Sequence, residues 1–383
     1  MQQPIYLDYA AATPLEPRVF DAMKPYLYEQ FYNPSSAYQP ARDVRRDFEE
    51  ARGRLAKVIG AKPDEIIMTA GATESVNIAF QGALSAGGHV VTSAIEHQAV
   101  IASAKQYDHT FVQAAAKGVV LAEAIKAALT DKTRLVSIAI ANSEIGTVQS
   151  LRDIAQVINA ERKHRLLRGV KTPLYFHSDA SQAAGLLELH VARLGLDMLT
   201  LNAAKCYGPK QVGLLWAASH VRLQPLIHGG GQERGIRSGT ENVAGTIGFA
   251  KALEIAEHKR KAEVVRLSQL RDSLQKTLTE AFPDCEISGH QKHRLPGHLH
   301  IAWPGLDAER ALFGLEMKGV LVATGSACAA NKGTRSHVLT AIGLSPELAD
   351  GSLRFSLGRH TDEAAIQTAA QAIIEVVGKE LAR

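Results

Sequence analysis

The stretch Asp197-Met-Leu-Thr-Leu-Asn-Ala-Ala-Lys-Cys-Tyr-Gly-Pro-Lys210 reads as an apolar strand running into a Gly-Pro turn, with Lys205 at the junction. Lys205 follows by 26 residues an Asp179 that ends another strand-like run, Thr172-Pro-Leu-Tyr-Phe-His-Ser-Asp179. A lysine in such a place is either a solvated surface cation or an amine that forms a Schiff base with an aldehyde cofactor. A carboxylate at the end of a neighbouring strand is the group that would keep a pyridine nitrogen of that cofactor protonated, making it an electron sink.

Working outward, the same design recurs. Residues 64–84 read as a short strand, a glycine turn and a helix opened by Thr73, Glu74 and Ser75. Such a turn aims backbone N–H groups and the positive end of a helix dipole at one point, where a phosphate would fit. An ordinary helix capped by Thr73 is the plainer reading. Gly88-His-Val-Val-Thr-Ser-Ala-Ile-Glu-His97 is a strand ending in an acid and an imidazole, and His97 there is either a surface residue or a group facing a ligand. Leu135-Val-Ser-Ile-Ala-Ile-Ala-Asn-Ser-Glu-Ile-Gly146 and the run ending at Asp179 repeat the pattern. Polar groups at four successive strand ends point to one sheet edge. Strand-like and helix-like segments alternate from about residue 55 to 217, which predicts a mainly parallel sheet covered by helices. A glycine-rich stretch from His228 to Gly239 follows. A long helical pattern from about Val243 to Ala281 then leads to a second region with the strand-like Gly297-His-Leu-His-Ile-Ala-Trp303 and a final helix from Asp362.

Composition sets limits. At 383 residues and 46% hydrophobic, the chain can bury a large core in one or two domains. A net charge of +4 is mild for this length and makes no case for nucleic acid or a membrane surface as partner. The three cysteines, Cys206, Cys285 and Cys328, have no C-x-x-C spacing, so neither a disulfide framework nor a metal site is expected. The N-terminus has neither a basic start nor an apolar stretch, and no window reaches the length of a membrane span. A reducing, cytoplasmic setting is expected.

The motifs together resemble the cysteine desulfurases of the NifS/IscS type, in the class V aminotransferase family of pyridoxal phosphate (PLP) enzymes of fold type I. The resemblance runs nearly end to end through Tyr6-Leu-Asp-Tyr-Ala10, Asn33-Pro34, Gly71-Ala-Thr-Glu-Ser75, Glu96-His97, Glu144-Ile-Gly146, Asp179 to Gln182, Lys205 to Lys210, Gly229 to Thr240, Gly325-Ser-Ala-Cys328 and Arg354-Phe-Ser-Leu-Gly-Arg359. It implies an α/β fold: a large domain over residues 15–242 with a mainly parallel seven-stranded sheet, and a smaller α+β domain from residues 1–14 plus 243–383. By resemblance, Lys205 would carry PLP and shuttle protons, Asp179 would pair with the pyridine nitrogen, Gln182 would lie near the phenolic oxygen, and His97 would stack on the ring. Ala72 and Thr73 would bind phosphate at a helix N-terminus, and Thr240 would reach the phosphate in the neighbouring subunit of a homodimer. Arg354, with Asn33 beside it, would grip the carboxylate of L-cysteine, a task that suits guanidinium geometry. Cys328 would take the sulfur as a persulfide, release L-alanine and deliver sulfur to an acceptor protein. Its small, glycine-containing flanks, Ala323 to Arg335, read as a mobile loop.

Three departures from the family pattern, at Asn202, Ala204 and Ser143, bear on the cofactor cup. Asn202-Ala203-Ala204 stands where the family has Ser-Gly-His, and Asn142-Ser143 where it has paired asparagines, the second at the phenolic oxygen. Losing that histidine removes a charged hydrogen bond worth about 1.5–3 kcal/mol, so weaker PLP retention is expected. Asn202 and Ser143 still offer hydrogen bonds. Other readings of the same residues are a selenocysteine lyase, an aminotransferase, or a non-catalytic PLP-fold scaffold; only a desulfurase needs Cys328. The acceptor stays open between cluster assembly, tRNA thiolation and DNA sulfur modification, since the chain runs only to Arg383, short of the tail by which relatives dock an iron–sulfur scaffold.

Overall fold

The computed structural model describes residues 4–325 and 335–383. After a short β1 (Ile5–Tyr6), the large sheet is built from β2 (Ile66–Thr69), β3 (His89–Ser93), β4 (Asp108–Val112), β5 (Thr133–Ser137), β6 (Tyr175–Asp179), β7 (Met198–Asn202) and β8 (Gly213–Ala217). Its order is β2-β8-β7-β6-β5-β3-β4. The β4-β3-β5-β6-β7 pairings are parallel, and β8 runs antiparallel to both β7 and β2. Every strand except β8 therefore ends at one edge, as expected from the alternating sequence.

Apolar runs make these strands because both sheet faces are covered, so adjacent residues can both be hydrophobic. Side chains alternate across a strand. Val91, Val136, Phe176, Leu199 and Leu214 accordingly enter one core, while their neighbours Val90, Leu135, Tyr175, Met198 and Leu215 enter the opposite one. The first core is closed by the helices Gln39–Ile59 and Leu151–Arg168, and the second by Ala72–Leu84 and Gln98–Ala104.

The helix Val243–Ala281 spans 39 residues and is capped by Asn242, whose Oδ1 accepts from the Gly245 N–H at 2.9 Å. Its first half packs Ile247, Phe249 and Leu253 into the large core; Leu267, Leu274 and Leu278 enter a third core. That third core lies under an antiparallel sheet of β9 (Glu286–Ile287), β10 (His298–Ala302) and β12 (Ser352–Ser356). Leu7 joins it from the N-terminal segment. There β1 pairs in parallel with β11 (Val320–Leu321), and Asp8 bridges to Ser356. Residues 4–10 are thereby held against the C-terminal third of the chain and led across the edge where the large strands end.

Candidate active site

Strand ends and the turns after them line a cleft of about 330 Å³ that brings together Ala72, Thr73, His97, Asn142, Ser143, Asp179, Gln182, Asn202, Lys205 and Arg354. The helix Ala72–Leu84 starts one residue later than an N-terminal glycine cap, Gly71, at φ 132°, so Thr73 lies in the first turn and is not the cap. Gly213 on β8 allows this turn to sit close, because a Cβ there would lie 2.7 Å from the Gly71 Cα. Glu74, the acid of that first turn, is turned aside: it accepts from the Ala70 N–H at 2.9 Å and pairs with Arg237 at 2.7 Å. The positive helix terminus is thus left to an anion in the cleft.

Asp179 ends β6 buried among protein atoms. Ser181 donates twice to its Oδ1, from the backbone N–H at 2.9 Å and the hydroxyl at 2.6 Å, which orients the carboxylate along the cleft wall. Two residues earlier on the same face, His177 bridges the Ser137 Oγ and Thr200 Oγ1, each at 2.9 Å. Burial pushes its imidazole down to about 4, so it is a neutral strut under the carboxylate at neutral pH. Glu96, just before His97, is fully buried. Burial raises its carboxyl to about 8, with the charge of Asp179 adding to the shift, while hydrogen bonds from Ser93 (2.6 Å) and the Ala139 N–H (3.0 Å) oppose it.

His97 caps the following helix, its Nδ1 accepting from the Ala99 N–H at 3.1 Å; that leaves Nε2 as the protonated nitrogen of the neutral ring. The Asn142 amide is spent on backbone: Oδ1 accepts from Glu144 and Ile145, and Nδ2 donates to the Ile95 carbonyl at 2.7 Å. It builds the turn at the cleft wall. Asn202 Oδ1 caps the Ala204 N–H at 3.1 Å.

Lys205 Nζ donates to the carbonyls of Ala10 (2.8 Å) and Ala11 (2.5 Å), and Gln182 Nε2 donates to the same Ala10 carbonyl at 3.1 Å. Arg354 enters from β12 with its side chain 4% exposed; Nη2 donates to Asp8 Oδ1 at 2.6 Å and Nη1 to the Ser143 carbonyl at 3.2 Å. Asn33 is exposed with its side chain accepting from the Ser35 N–H at 2.9 Å, and Thr240 is exposed on the glycine-rich loop; neither lines the cleft of this single chain. Cys328 lies outside the described residues.

Reading the sequence assigned no role to Asp8, Ser181, His177 or the Ala10 and Ala11 carbonyls. The Asp179-x-Ser181 spacing is a side-chain turn signal that could have found Ser181. Nothing local could pair Asp8 with a residue 346 positions away.

This donor set fits PLP: an amine at one strand end, an oriented carboxylate at the next, and an open helix terminus across the cleft. A mostly parallel seven-stranded sheet carrying a lysine and a carboxylate at adjacent strand ends has the architecture of the PLP-dependent fold-type I enzymes. The chain belongs to the class-V aminotransferase family, whose model matches residues 5–368, and within it to the cysteine desulfurases. It is 42% identical to the cysteine desulfurase IscS of Dictyoglomus turgidum over 94% of this chain and 91% of that one. A NifS-like protein of known structure superposes with a TM-score of 0.89 at 30% identity, covering 98% of this chain and all (100%) of the other. SspA, solved in complex with cysteine, superposes with a TM-score of 0.77 at 32% identity over 92% of this chain and 98% of its own.

Among the described residues no cluster of three or more histidine, cysteine or acidic side chains could hold a metal ion. No helix among them is long and apolar enough to cross a membrane.

Proposed function

We propose that this protein is a PLP-dependent cysteine desulfurase that converts L-cysteine to L-alanine and takes the sulfur on Cys328. The observation that carries the reading is the convergence of Lys205, Asp179 and Arg354 on one cleft beside an open helix N-terminus. Bound PLP supplies an electron sink for the substrate carbons. Lys205 would hold it covalently and move protons at the substrate, Asp179 would pair with its ring nitrogen, and the N–H groups at Ala72 and Thr73 would meet its phosphate. His97 would cover the ring, Gln182 and Ser143 would serve its phenolic oxygen, and Asn142 and Asn202 would shape the walls. Arg354, with Asn33, takes the substrate carboxylate.

The overall exchange balances without an external oxidant. The Cys328 thiol plus L-cysteine gives a persulfide plus L-alanine, as the sulfur's carbon bond is replaced by a carbon–hydrogen bond. A thiolate suits the step because it is the strongest side-chain nucleophile toward sulfur. A persulfide then passes to an acceptor protein. The enzyme acts as a cytoplasmic homodimer in which Thr240 serves the partner's site. Residues 15–242 form its large domain, and residues 1–14 with 243–383 form its small one.

The test is release of sulfide and alanine from L-cysteine, with added PLP and a thiol reductant, by wild type and Cys328→Ala. Equimolar products lost in the variant support the reading. A PLP-loaded wild type that releases no sulfide sinks it and leaves a lyase, an aminotransferase or a scaffold. Alanine release that survives in the variant removes Cys328 as acceptor.

A further inference from the structure

Glu144, from the Glu144-Ile-Gly146 motif, has no part in the chemistry assigned above, yet it is an acid buried to 2% exposure beside the cleft. Its backbone belongs to the Asn142 turn, where the Glu144 N–H donates to Asn142 Oδ1 at 2.8 Å. Its carboxylate serves a different segment. Oε2 accepts from the Ser336 hydroxyl at 2.6 Å, and a Cβ on Gly325 would stand 3.4 Å from the same oxygen and 3.5 Å from the Ser336 Cβ. One carboxylate oxygen thus lies against both Ser336 and Gly325, which flank residues 326–335 and with them Cys328.

Each flank is also tied elsewhere. The Ala323 carbonyl accepts from the Arg354 N–H at 2.7 Å, and the Ala323 N–H donates to the Arg354 carbonyl at 3.2 Å. On the other flank, Ser336 Oγ accepts from the Leu339 N–H at 3.2 Å, and His337 Nε2 donates to the Glu96 carbonyl at 2.9 Å. The contacts close a ring. It runs from Arg354 to Ala323, along the chain to Gly325, across to Glu144, and from the neighbouring Ser143 carbonyl back to Arg354 Nη1.

Covalent geometry makes this ring matter for sulfur transfer. Cys328 comes three residues after Gly325, so its Cα can stand at most about 11 Å from that of Gly325, and a shift of Gly325 shifts the volume within reach. Misplacing a reacting group by about 1 Å can cost a hundredfold in rate.

We propose that Glu144 is a positioning residue for Cys328: its carboxylate holds the two flanks of the cysteine segment together and in register with Arg354, the residue that takes the substrate carboxylate. The assignment rests on the desulfurase reading. Burial raises the Glu144 carboxyl above its ordinary range, opposed by the Ser336 hydrogen bond and the charges of His337 and Arg354. The contact asks for an acceptor oxygen and not for a charge, so glutamine can replace the acid and alanine cannot.

Two measurements test this. In cofactor-free enzyme, hydrogen exchange at the Ala323 N–H is expected to quicken about tenfold in Glu144→Ala and Ser336→Ala but not in Glu144→Gln. A wild-type exchange rate in both alanine variants overturns the proposal. In PLP-loaded enzyme, a single turnover with L-cysteine is followed by cofactor absorbance for substrate binding, and by alkylation and mass spectrometry for persulfide on Cys328. Both alanine variants are expected to bind L-cysteine as wild type does and to form the persulfide about tenfold more slowly, while Glu144→Gln restores the rate. Persulfide that forms at the wild-type rate in both, or slows only in step with weakened cysteine binding, overturns the role; mere packing would lower Tm and leave that rate alone. If Glu144→Ala fails to fold, Ser336→Ala and Glu144→Gln decide. A wild type that forms no persulfide sinks the desulfurase reading and this proposal with it, whereas a wild-type persulfide with unaffected variants counts against the proposal alone.

Discussion

Asp8 Oδ1 lies 2.6 Å from Arg354 Nη2, joining the N-terminal segment to the strand that carries the guanidinium proposed for the substrate carboxylate. The pair is mostly buried, with side-chain exposures of 17% and 4%. Such a pair orients the arginine, and removing either charge leaves the other uncompensated. Replacing Arg354 with lysine keeps a charge but gives up the planar fork. We expect Arg354→Lys to raise KM for L-cysteine about 100-fold, the loss of roughly two charge-assisted hydrogen bonds, with a smaller change in kcat. Steady-state kinetics that show a fall in kcat at constant KM would place the arginine outside substrate binding.

Gly213 sets the approach of β8 to the turn at Gly71, the proposed phosphate site. An added methyl would meet the Gly71 backbone at 2.7 Å, and backbone cannot rotate away. Gly213→Ala is expected to destabilise the fold by about 1–3 kcal/mol and to weaken PLP binding about tenfold by displacing the helix N-terminus. Fluorescence titration of cofactor-free enzyme with PLP measures the second effect, and an unchanged dissociation constant would uncouple this turn from the cofactor.

Stability should depend on pH through buried imidazoles. Burial lowers His177 to about 4 and His298 and His300 to about 3. A depressed folded value means stability present above the ordinary histidine range, near 6.5, and lost as pH falls toward 3–4, by at most roughly 3–5 kcal/mol per ring. Glu96 acts in the opposite sense: raised to about 8, it contributes stability below about 4.5 that is lost as pH rises through 8. Three rings outweigh one carboxyl where the windows overlap. Urea melts should show a net fall from pH 7 to 5, and Glu96→Gln should flatten the decline between pH 6.5 and 8. A wild type equally stable at pH 7 and 5 would mean that these rings are hydrated in solution.

The departure at Ala204 has its own test. With Asn202 Oδ1 engaged by the Ala204 N–H at 3.1 Å, only its amide nitrogen remains for a ligand. Restoring the family's histidine by Ala204→His is expected to tighten PLP binding by about tenfold or more, the value of one charged hydrogen bond. No gain in the measured dissociation constant would show that another residue already fills that role.

Strand-end chemistry was legible in the chain because it is local. An apolar run followed by Lys205, Asp179, Glu96-His97 or Gly71-Ala72-Thr73 predicts where each side chain stands on its own strand, and parallel order then sends all of them to one edge. The resemblance extended this to Arg354 and the class of chemistry. Tertiary structure alone decided which groups support them. Asp8 meets Arg354 because β1 pairs with β11 and Asp8 bridges to Ser356, contacts spanning more than 300 residues. The Ala10 and Ala11 carbonyls reach Lys205 by the same crossing. His298 reads in sequence as one more residue of an apolar strand; only its packing against the Gly146 turn shows it buried with both ring nitrogens unpartnered among the described residues. Local spacing encodes the direction of a side chain along its own element. What faces it across the fold is set by the pairing and packing of distant segments, which no local pattern records.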